Sequence, residues 1–118
     1  MYAIKKNSTQ QINKAEAEAC PVNYTLNKIG GRWKSLILYH LIGETKRYNT
    51  LKKSIPNISE KMLIQNLKEL EGEGLLIREV KPVVPPHVSY TLSAAGKALE
   101  PIFLSMAEWG LKHRNETT

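Results

Sequence analysis

The segment Ile55–Ser59 constrains the fold more than any other, because it is a tight turn between two helical segments of unequal length. It contains a Pro-Asn pair that favours a turn, and Ser59 at its end can cap the next helix by accepting an amide hydrogen bond. Apolar spacing predicts a short helix over residues 48–55 and a longer helix over about residues 60–73. A short helix joined to a longer one by a tight turn is typical of a helix-turn-helix.

Two strands are predicted after the longer helix. Residues 75–80 and 88–92 are rich in β-branched and large apolar side chains. The link between them, residues 81–87, contains three prolines, which cannot join a strand ladder. We therefore expect a hairpin with a stiff, protruding loop. A hairpin in this position is the wing of a winged helix-turn-helix.

Four further helices complete the predicted fold, which is mainly α with a small antiparallel β-hairpin. Helix signals place two before the turn and two after the hairpin, at residues 21–29, 33–41, 93–99 and about 101–113. The segment over residues 33–41 is apolar on nearly every side and is expected to be a buried central helix. Residues 1–19 are expected to form an N-terminal arm with a short helix over residues 10–19, and residues 20–113 the folded domain.

Positive charge is concentrated in one part of the chain. Lys and Arg number 17 against 11 acidic residues, a net charge of +6. Between Lys28 and Lys53 there are seven basic residues and a single acid, Glu44, so the whole excess lies there. Such a local excess is typical of a surface that binds a polyanion such as nucleic acid. On charge alone, an ordinary solvated surface is a close alternative.

Other classes of protein are disfavoured by composition. No apolar run approaches the ~18 residues of a membrane helix, and the N-terminus lacks the apolar core of a signal peptide, so a cytoplasmic protein without a membrane partner is expected. One cysteine, Cys20, excludes an intramolecular disulfide and a cysteine-based zinc cluster. There is no Asp, and the three histidines fall on separate elements. We therefore expect no enzyme, no metal and no cofactor.

Four segments, in order, resemble the HxlR-type transcriptional regulators, which are MarR-like winged helix-turn-helix proteins. They are CPVNYTLNKIGGRWKSLILYHL (residues 20–41), RYNTLKKSIPNISEKMLIQNLKELEGEGLL (47–76), VPPHVSYTLSAAG (84–96) and EWG (108–110). Ser89 stands where the family more often has Glu, and Tyr48 replaces a common Phe. The resemblance implies a homodimeric DNA-binding regulator, often one that responds to reactive electrophiles or oxidants.

The longer helix of the turn motif is the predicted recognition helix. With its leucines turned inward, the opposite face carries Lys61, Gln65 and Lys68, three and four residues apart. Gln can read adenine, and Lys can reach guanine or phosphate; Met62 and Asn66 on the flank are expected to reach base or sugar. A plain solvated helix face is the alternative. Phosphate contacts are expected from Lys34, Lys46, Arg47, Lys52, Lys53 and Ser59.

The wing is predicted to approach the minor groove with Lys81 and His87. It has no Arg at its tip, so readout of a narrow groove is not expected from it. The rival reading is a winged-helix module that binds protein and not nucleic acid. Modules of that kind usually lack a basic excess on the helix-turn-helix, which disfavours this reading. The DNA partner is expected to be double-stranded and roughly palindromic.

The last predicted helix carries two apolar stripes, which a single core does not require. Together with the family resemblance they predict a dimerisation helix over about residues 101–113, whose interface residues are Ile102, Phe103, Met106 and Trp109. From the residues alone, the alternative is that both stripes form one broad face packed on the core of the same chain.

Cys20 precedes the Pro that begins the first family helix. A helix N-terminus stabilises a thiolate, and the resemblance implies that a cysteine in this Cys-Pro motif senses an oxidant or electrophile. A buried, inert cysteine is the equal alternative.

Overall fold

The computed structural model describes residues 19–116, which fall into two units divided between Gly31 and Arg32. The described part of the first unit is one helix, α1 (Pro21–Ile29), with Pro at its start as predicted. The carbonyl of Cys20 accepts a hydrogen bond from the Tyr24 amide at 2.9 Å, which closes the first turn. The helix predicted over residues 10–19 lies outside the described residues except for Ala19. The boundary placed between residues 19 and 20 stays a prediction.

The second unit is a winged helix-turn-helix, mostly helical with a small antiparallel sheet, as predicted. Its elements in chain order are α2 (Arg32–His40), β1 (Lys46–Arg47), α3 (Tyr48–Ser54), α4 (Glu60–Gly72), β2 (Leu76–Lys81), β3 (His87–Leu92), α5 (Ala94–Lys97) and α6 (Glu100–His113). Each predicted helix and strand of this unit is found, with ends that differ by a few residues. Within the described residues, no helix is long and apolar enough to cross a bilayer.

The turn between α3 and α4 is built as the sequence predicted. Asn57 takes a positive φ of 71°, the left-handed conformation that short polar side chains tolerate. The Ser59 hydroxyl accepts a hydrogen bond from the Met62 amide at 3.1 Å, which caps α4. Ile55 and Ile58 on either side of Asn57 are buried, so the turn is held against the core.

The sheet has three strands in the order β1-β3-β2, one more than predicted. The β2–β3 hairpin pairs Leu76 with Leu92 at one end and Lys81 with His87 at the other. On the other side of β3, β1 adds two antiparallel pairs, Lys46 with Tyr90 and Arg47 with Ser89. A strand of two residues cannot show an alternating pattern, so the sequence had no signal for it.

The core of the second unit lies between α2, α3, α4 and the sheet. Its largest fully buried side chains are Ile37, Leu38, Leu41, Leu51, Ile55, Leu63, Leu67 and Leu70. The expectation that α2 is buried on nearly every side is wrong, because Leu36 and Tyr39 are 37% and 39% exposed. They line an apolar groove of about 430 Å³ between α2 and α6. The helix therefore packs on the core with one face and borders a groove with another.

Candidate nucleic-acid interface

The outward face of α4 carries the predicted stripe of polar side chains. Lys61, Gln65 and Lys68 are exposed, Met62 is half-buried, and Ile64 adds an exposed apolar side chain beside them. Their orientation follows from helix geometry, because the leucines three and four residues apart occupy the core side. The stripe presents amide, ammonium and methyl groups, which are the chemical groups that read base edges in a major groove.

Asn66 does not belong to this face. It is buried, and its Nδ2 donates a hydrogen bond of 2.7 Å to the carbonyl of Met62 one turn earlier. The amide is thereby satisfied inside the protein, as a buried polar group must be. The expectation that Asn66 contacts base or sugar is therefore not met by its placement.

Gln65 is held by a network that joins α4 to α2. Its Nε2 donates to Glu69 Oε2 at 3.1 Å, and Lys34 Nζ lies 2.8 Å from Glu69 Oε1. The hydrogen bonds from Lys34 and Gln65, with the charge of Lys34, lower the pKa of the Glu69 carboxyl below its ordinary value. The sequence predicted that Lys34 contacts a phosphate. Its side chain is instead only 18% exposed and is engaged in this ion pair.

Lys46 is likewise engaged within the protein. Its Nζ lies 3.5 Å from Glu44 Oε1 and 3.4 Å from Ser54 Oγ, at the end of α3. Burial, followed by the charge of Lys46, lowers the pKa of His40 below its ordinary value. Of the six predicted phosphate-binding residues, Arg47, Lys53 and Ser59 are exposed and Lys52 is half-buried, so these four remain accessible.

A groove of about 630 Å³ separates α4 from the wing and was not expected from the sequence. Three cations line it, Arg47, Lys68 and Arg78, against one acid, Glu71. They come from three different elements, β1, α4 and β2. The remaining lining residues are Tyr48, Asn49, Ile64, Pro86, Val88 and Tyr90. The groove is therefore a positively charged channel that runs beside the exposed face of α4.

Arg78 is the functional candidate that sequence reasoning missed. It lies on β2 opposite the buried Tyr90 of β3 and lines the groove between α4 and the wing. In the sequence, Arg78 is a single basic residue in a predicted strand, and such a residue is more often an ordinary surface side chain than a binding residue. Only the folded sheet brings it together with Arg47 and Lys68.

Tyr48 also lines this groove. Its hydroxyl is buried and has no hydrogen-bond partner among residues 19–116. Burial, with smaller contributions from Glu60 and Tyr90, raises the pKa of the phenol above its ordinary value. The hydroxyl is therefore neutral at physiological pH and keeps its capacity to donate a hydrogen bond.

The wing places its two predicted residues opposite each other. Lys81 and His87 form the last pair of the β2–β3 ladder, where the proline-containing loop begins and ends. Lys81 is exposed and His87 is half-buried. At the tip, the Val84 side chain is fully exposed, so the loop presents an apolar surface and no cation.

The outer face of α6 is apolar and exposed. Ile102, Met106 and Trp109 are 43%, 55% and 61% exposed, and the Trp109 ring packs on His113 with 4.8 Å between ring centroids. Phe103 differs from the other predicted interface residues, because it is 3% exposed and belongs to the core of its own chain. Ile102, Met106 and Trp109 therefore form an exposed apolar stripe on α6.

Cys20 lies in the first unit, directly before α1. Its thiol is half-buried, free of any disulfide, and makes no capping hydrogen bond to the helix. Among the described residues, no group of three or more His, Cys or acidic side chains is arranged to hold a metal ion.

A family model for the HxlR-like helix-turn-helix matches residues 28–118, which includes the whole of the second unit. This chain belongs to the HxlR-like helix-turn-helix family. Relatives in this family are named as HTH-type transcriptional regulators. One of them, YybR of Bacillus subtilis (strain 168), is 47% identical over 98 residues, which cover 83% of this chain and 78% of YybR.

Solved structures of similar regulators share the fold. The redox regulator HypR in its oxidized form is 47% identical, with a TM-score of 0.76 over 79% of this chain and 96% of that one. The reduced form of the transcriptional regulator YodB from B. subtilis is 39% identical, with a TM-score of 0.66 over 77% of this chain and 90% of that one. The HxlR-like chain described here is thus a helix-turn-helix transcriptional regulator by family.

Proposed function

We propose that this HxlR-like protein regulates transcription as a homodimer that binds double-stranded DNA, with α4 in the major groove and the wing near the minor groove. The observation that carries the proposal is the exposed stripe Lys61, Gln65 and Lys68 on a capped helix that is flanked by a cationic groove. An α-helix fits into the major groove of B-DNA, and the stripe supplies hydrogen-bond donors and acceptors for the base edges there. Such a regulator acts in the cytoplasm.

Each side chain has a role in this arrangement that follows from its exposure. Lys61, Gln65 and Lys68, with Met62 on the flank, contact bases; Arg47, Lys52, Lys53 and Ser59 contact the phosphates beside the major groove. Arg78 joins the phosphate contacts through the groove between α4 and the wing. Lys34 acts instead through an ion pair that joins α2 to α4, and Lys46 through an ion pair with Glu44 and a hydrogen bond to Ser54 on α3.

The partner chain in the proposed dimer is a second copy that packs on the outer face of α6. Three large apolar side chains exposed on one helix face are costly in water unless a partner covers them. A two-fold dimer places two copies of α4 on half-sites about one DNA turn, ~10 bp, apart or a multiple of it. The operator is therefore roughly palindromic.

Binding to duplex DNA and its salt dependence test this function directly. Selection of bound sequences from random duplex DNA is expected to return a two-fold symmetric operator. Affinity for that operator is expected to fall steeply as salt rises, because phosphate contacts release counterions. A flat response between low and physiological ionic strength, or no recovered sequence preference, contradicts the proposal and favours a protein-binding module.

Cys20 is the proposed sensor of an oxidant or a small electrophile. Support comes from relatives: HypR is named a redox regulator, and YodB is known in reduced and diamide-treated forms. With one cysteine in each chain, a disulfide forms only between chains or with a small thiol. Two thiols then lose two protons and two electrons to diamide, which becomes the hydrazine, and an S–S bond forms.

Diamide is expected to change operator affinity in the wild type and to leave Cys20→Ser unaffected. Non-reducing electrophoresis, run beside the binding assay, shows whether the oxidised species is a cross-linked dimer. Equal responses of the two proteins, or none in either, would show that Cys20 is structural and that the effector is of another kind.

A further inference from the structure

The Glu69 carboxylate holds the side-chain amide of Gln65 in one orientation. Its Oε2 accepts a hydrogen bond of 3.1 Å from Gln65 Nε2, one turn earlier on α4. A carboxylate has only acceptors, so it can bind the nitrogen of the amide but not the oxygen. The direction in which the amide points is therefore decided by the chemistry of Glu69.

Glu69 is itself fixed by a residue outside the recognition helix. Lys34 Nζ on α2 lies 2.8 Å from Glu69 Oε1, and the Lys34 side chain is largely buried. The ammonium neutralises an acid that would otherwise repel phosphate, and it leaves Oε2 to Gln65. The two contacts use different oxygens, so the carboxylate bridges the body of the domain to the exposed amide.

The part of Gln65 that remains free is complementary to adenine. One of its two N–H groups is bonded to Glu69, which leaves the second N–H and Oε1 without a contact to Glu69. An adenine edge in the major groove presents an N7 acceptor and an N6 amino donor, which pair with one N–H and one carbonyl of a Gln amide. Pre-orientation of that pair favours adenine over the other bases.

We infer that Glu69 is a positioning residue for specificity: it orients Gln65 so that this regulator reads an adenine in each half-site. The inference rests on the proposed DNA binding. Glu69 itself touches no base; it acts through Gln65, with Lys34 behind it. Glu69→Gln supplies a donor as well as an acceptor, so the Gln65 amide is free to bond in either orientation and loses its preference.

The test compares binding to the selected operator with binding to operators altered at single base pairs. Gln65→Ala is expected to lower discrimination about tenfold at one adenine in each half-site, the size of a single base contact. Glu69→Gln is expected to lower discrimination at the same position about threefold to tenfold. In the Gln65→Ala background, Glu69→Gln is expected to cause no further loss, because the two residues act in series.

Glu79→Gln is the matched control. Glu79 is an exposed acid on β2, so this substitution removes the same charge and is expected to raise affinity for all duplexes alike without altering base preference. A Glu69→Gln protein that behaves like Glu79→Gln overturns the inference, and so does an equal loss with and without Gln65. If Gln65→Ala leaves operator preference unchanged, the assignment of the recognition face fails and the inference fails with it.

Discussion

At the scale of single residues, the site depends on a few local hydrogen bonds and one unusual backbone conformation. The cap from Ser59 and the positive φ of Asn57 set where α4 begins and in which direction it leaves the turn. A left-handed conformation costs about 1–2 kcal/mol for most residues, but little for Gly and less for Asn than for Ala. The backbone conformation at position 57 therefore favours Asn or Gly over residues such as Ala.

Asn57→Ala is expected to lower the free energy of unfolding by about 1 kcal/mol, while Asn57→Gly leaves it nearly unchanged. Urea unfolding followed by circular dichroism measures both. Asn49→Ala serves as the control, because Asn49 is exposed within α3 and has helical geometry, so alanine is expected to cause no loss there. Equal stability of the Asn57→Ala and Asn57→Gly proteins would show that the positive φ carries no cost.

At the scale of elements, the cationic groove is a product of three segments that are distant in sequence. β1, α4 and β2 each contribute one cation, and the β1–β3–β2 order brings the first and the last onto the same sheet. Because a phosphate contact is insensitive to sequence, the groove is expected to set affinity and the α4 stripe to set specificity. The two surfaces share Lys68, and their other residues are separable by mutation.

Arg78→Ala is expected to weaken binding to all duplexes alike and to reduce the slope of log affinity against log salt by about 1. Titration of operator and random duplex at several salt concentrations measures both effects. Lys97→Ala is the control: Lys97 is an exposed cation on α5 that does not line the groove. A loss confined to the operator, or the same slope change in both variants, would contradict a phosphate contact at Arg78.

At the scale of the whole molecule, charge and apolar surface mark different regions of the chain. The entire net charge of +6 arises between Lys28 and Lys53, whereas the stripe of exposed apolar side chains on α6 lies near the C-terminus. The proposed DNA contacts and the proposed dimer interface therefore fall in different parts of the chain. Loss of the dimer is expected to weaken operator binding by removing one of two linked half-site contacts.

Trp109→Glu is expected to give a folded monomer with helical content close to that of the wild type, since Trp109 is 61% exposed. Analytical ultracentrifugation at micromolar concentration measures the change, and circular dichroism confirms folding. Leu104→Glu is the control, because it places the same charge at an exposed leucine on the opposite side of α6. This variant is expected to remain dimeric. A wild type that is monomeric, or a dimer lost equally in both variants, would contradict the assigned interface.

The sequence alone determined those features that depend on neighbours along the chain. Apolar periodicity, the Pro-Asn turn, the Ser59 cap and the proline loop predicted the helices and the hairpin of residues 21–113, and these elements are confirmed. The exposed stripe on α4 followed from the same periodicity, because helix geometry alone decides which side chains share a face. The family resemblance rested on the same residues and is confirmed.

The tertiary structure alone decided the partners of individual side chains. Lys34 pairs with Glu69 across two helices, Phe103 is buried while its neighbours on α6 are exposed, and Arg78 and Arg47 line one groove only because their strands both pair with β3. None of these features has a sequence signal, because each depends on residues far apart in the chain, and the energy that selects it comes from packing and desolvation rather than from local backbone preference.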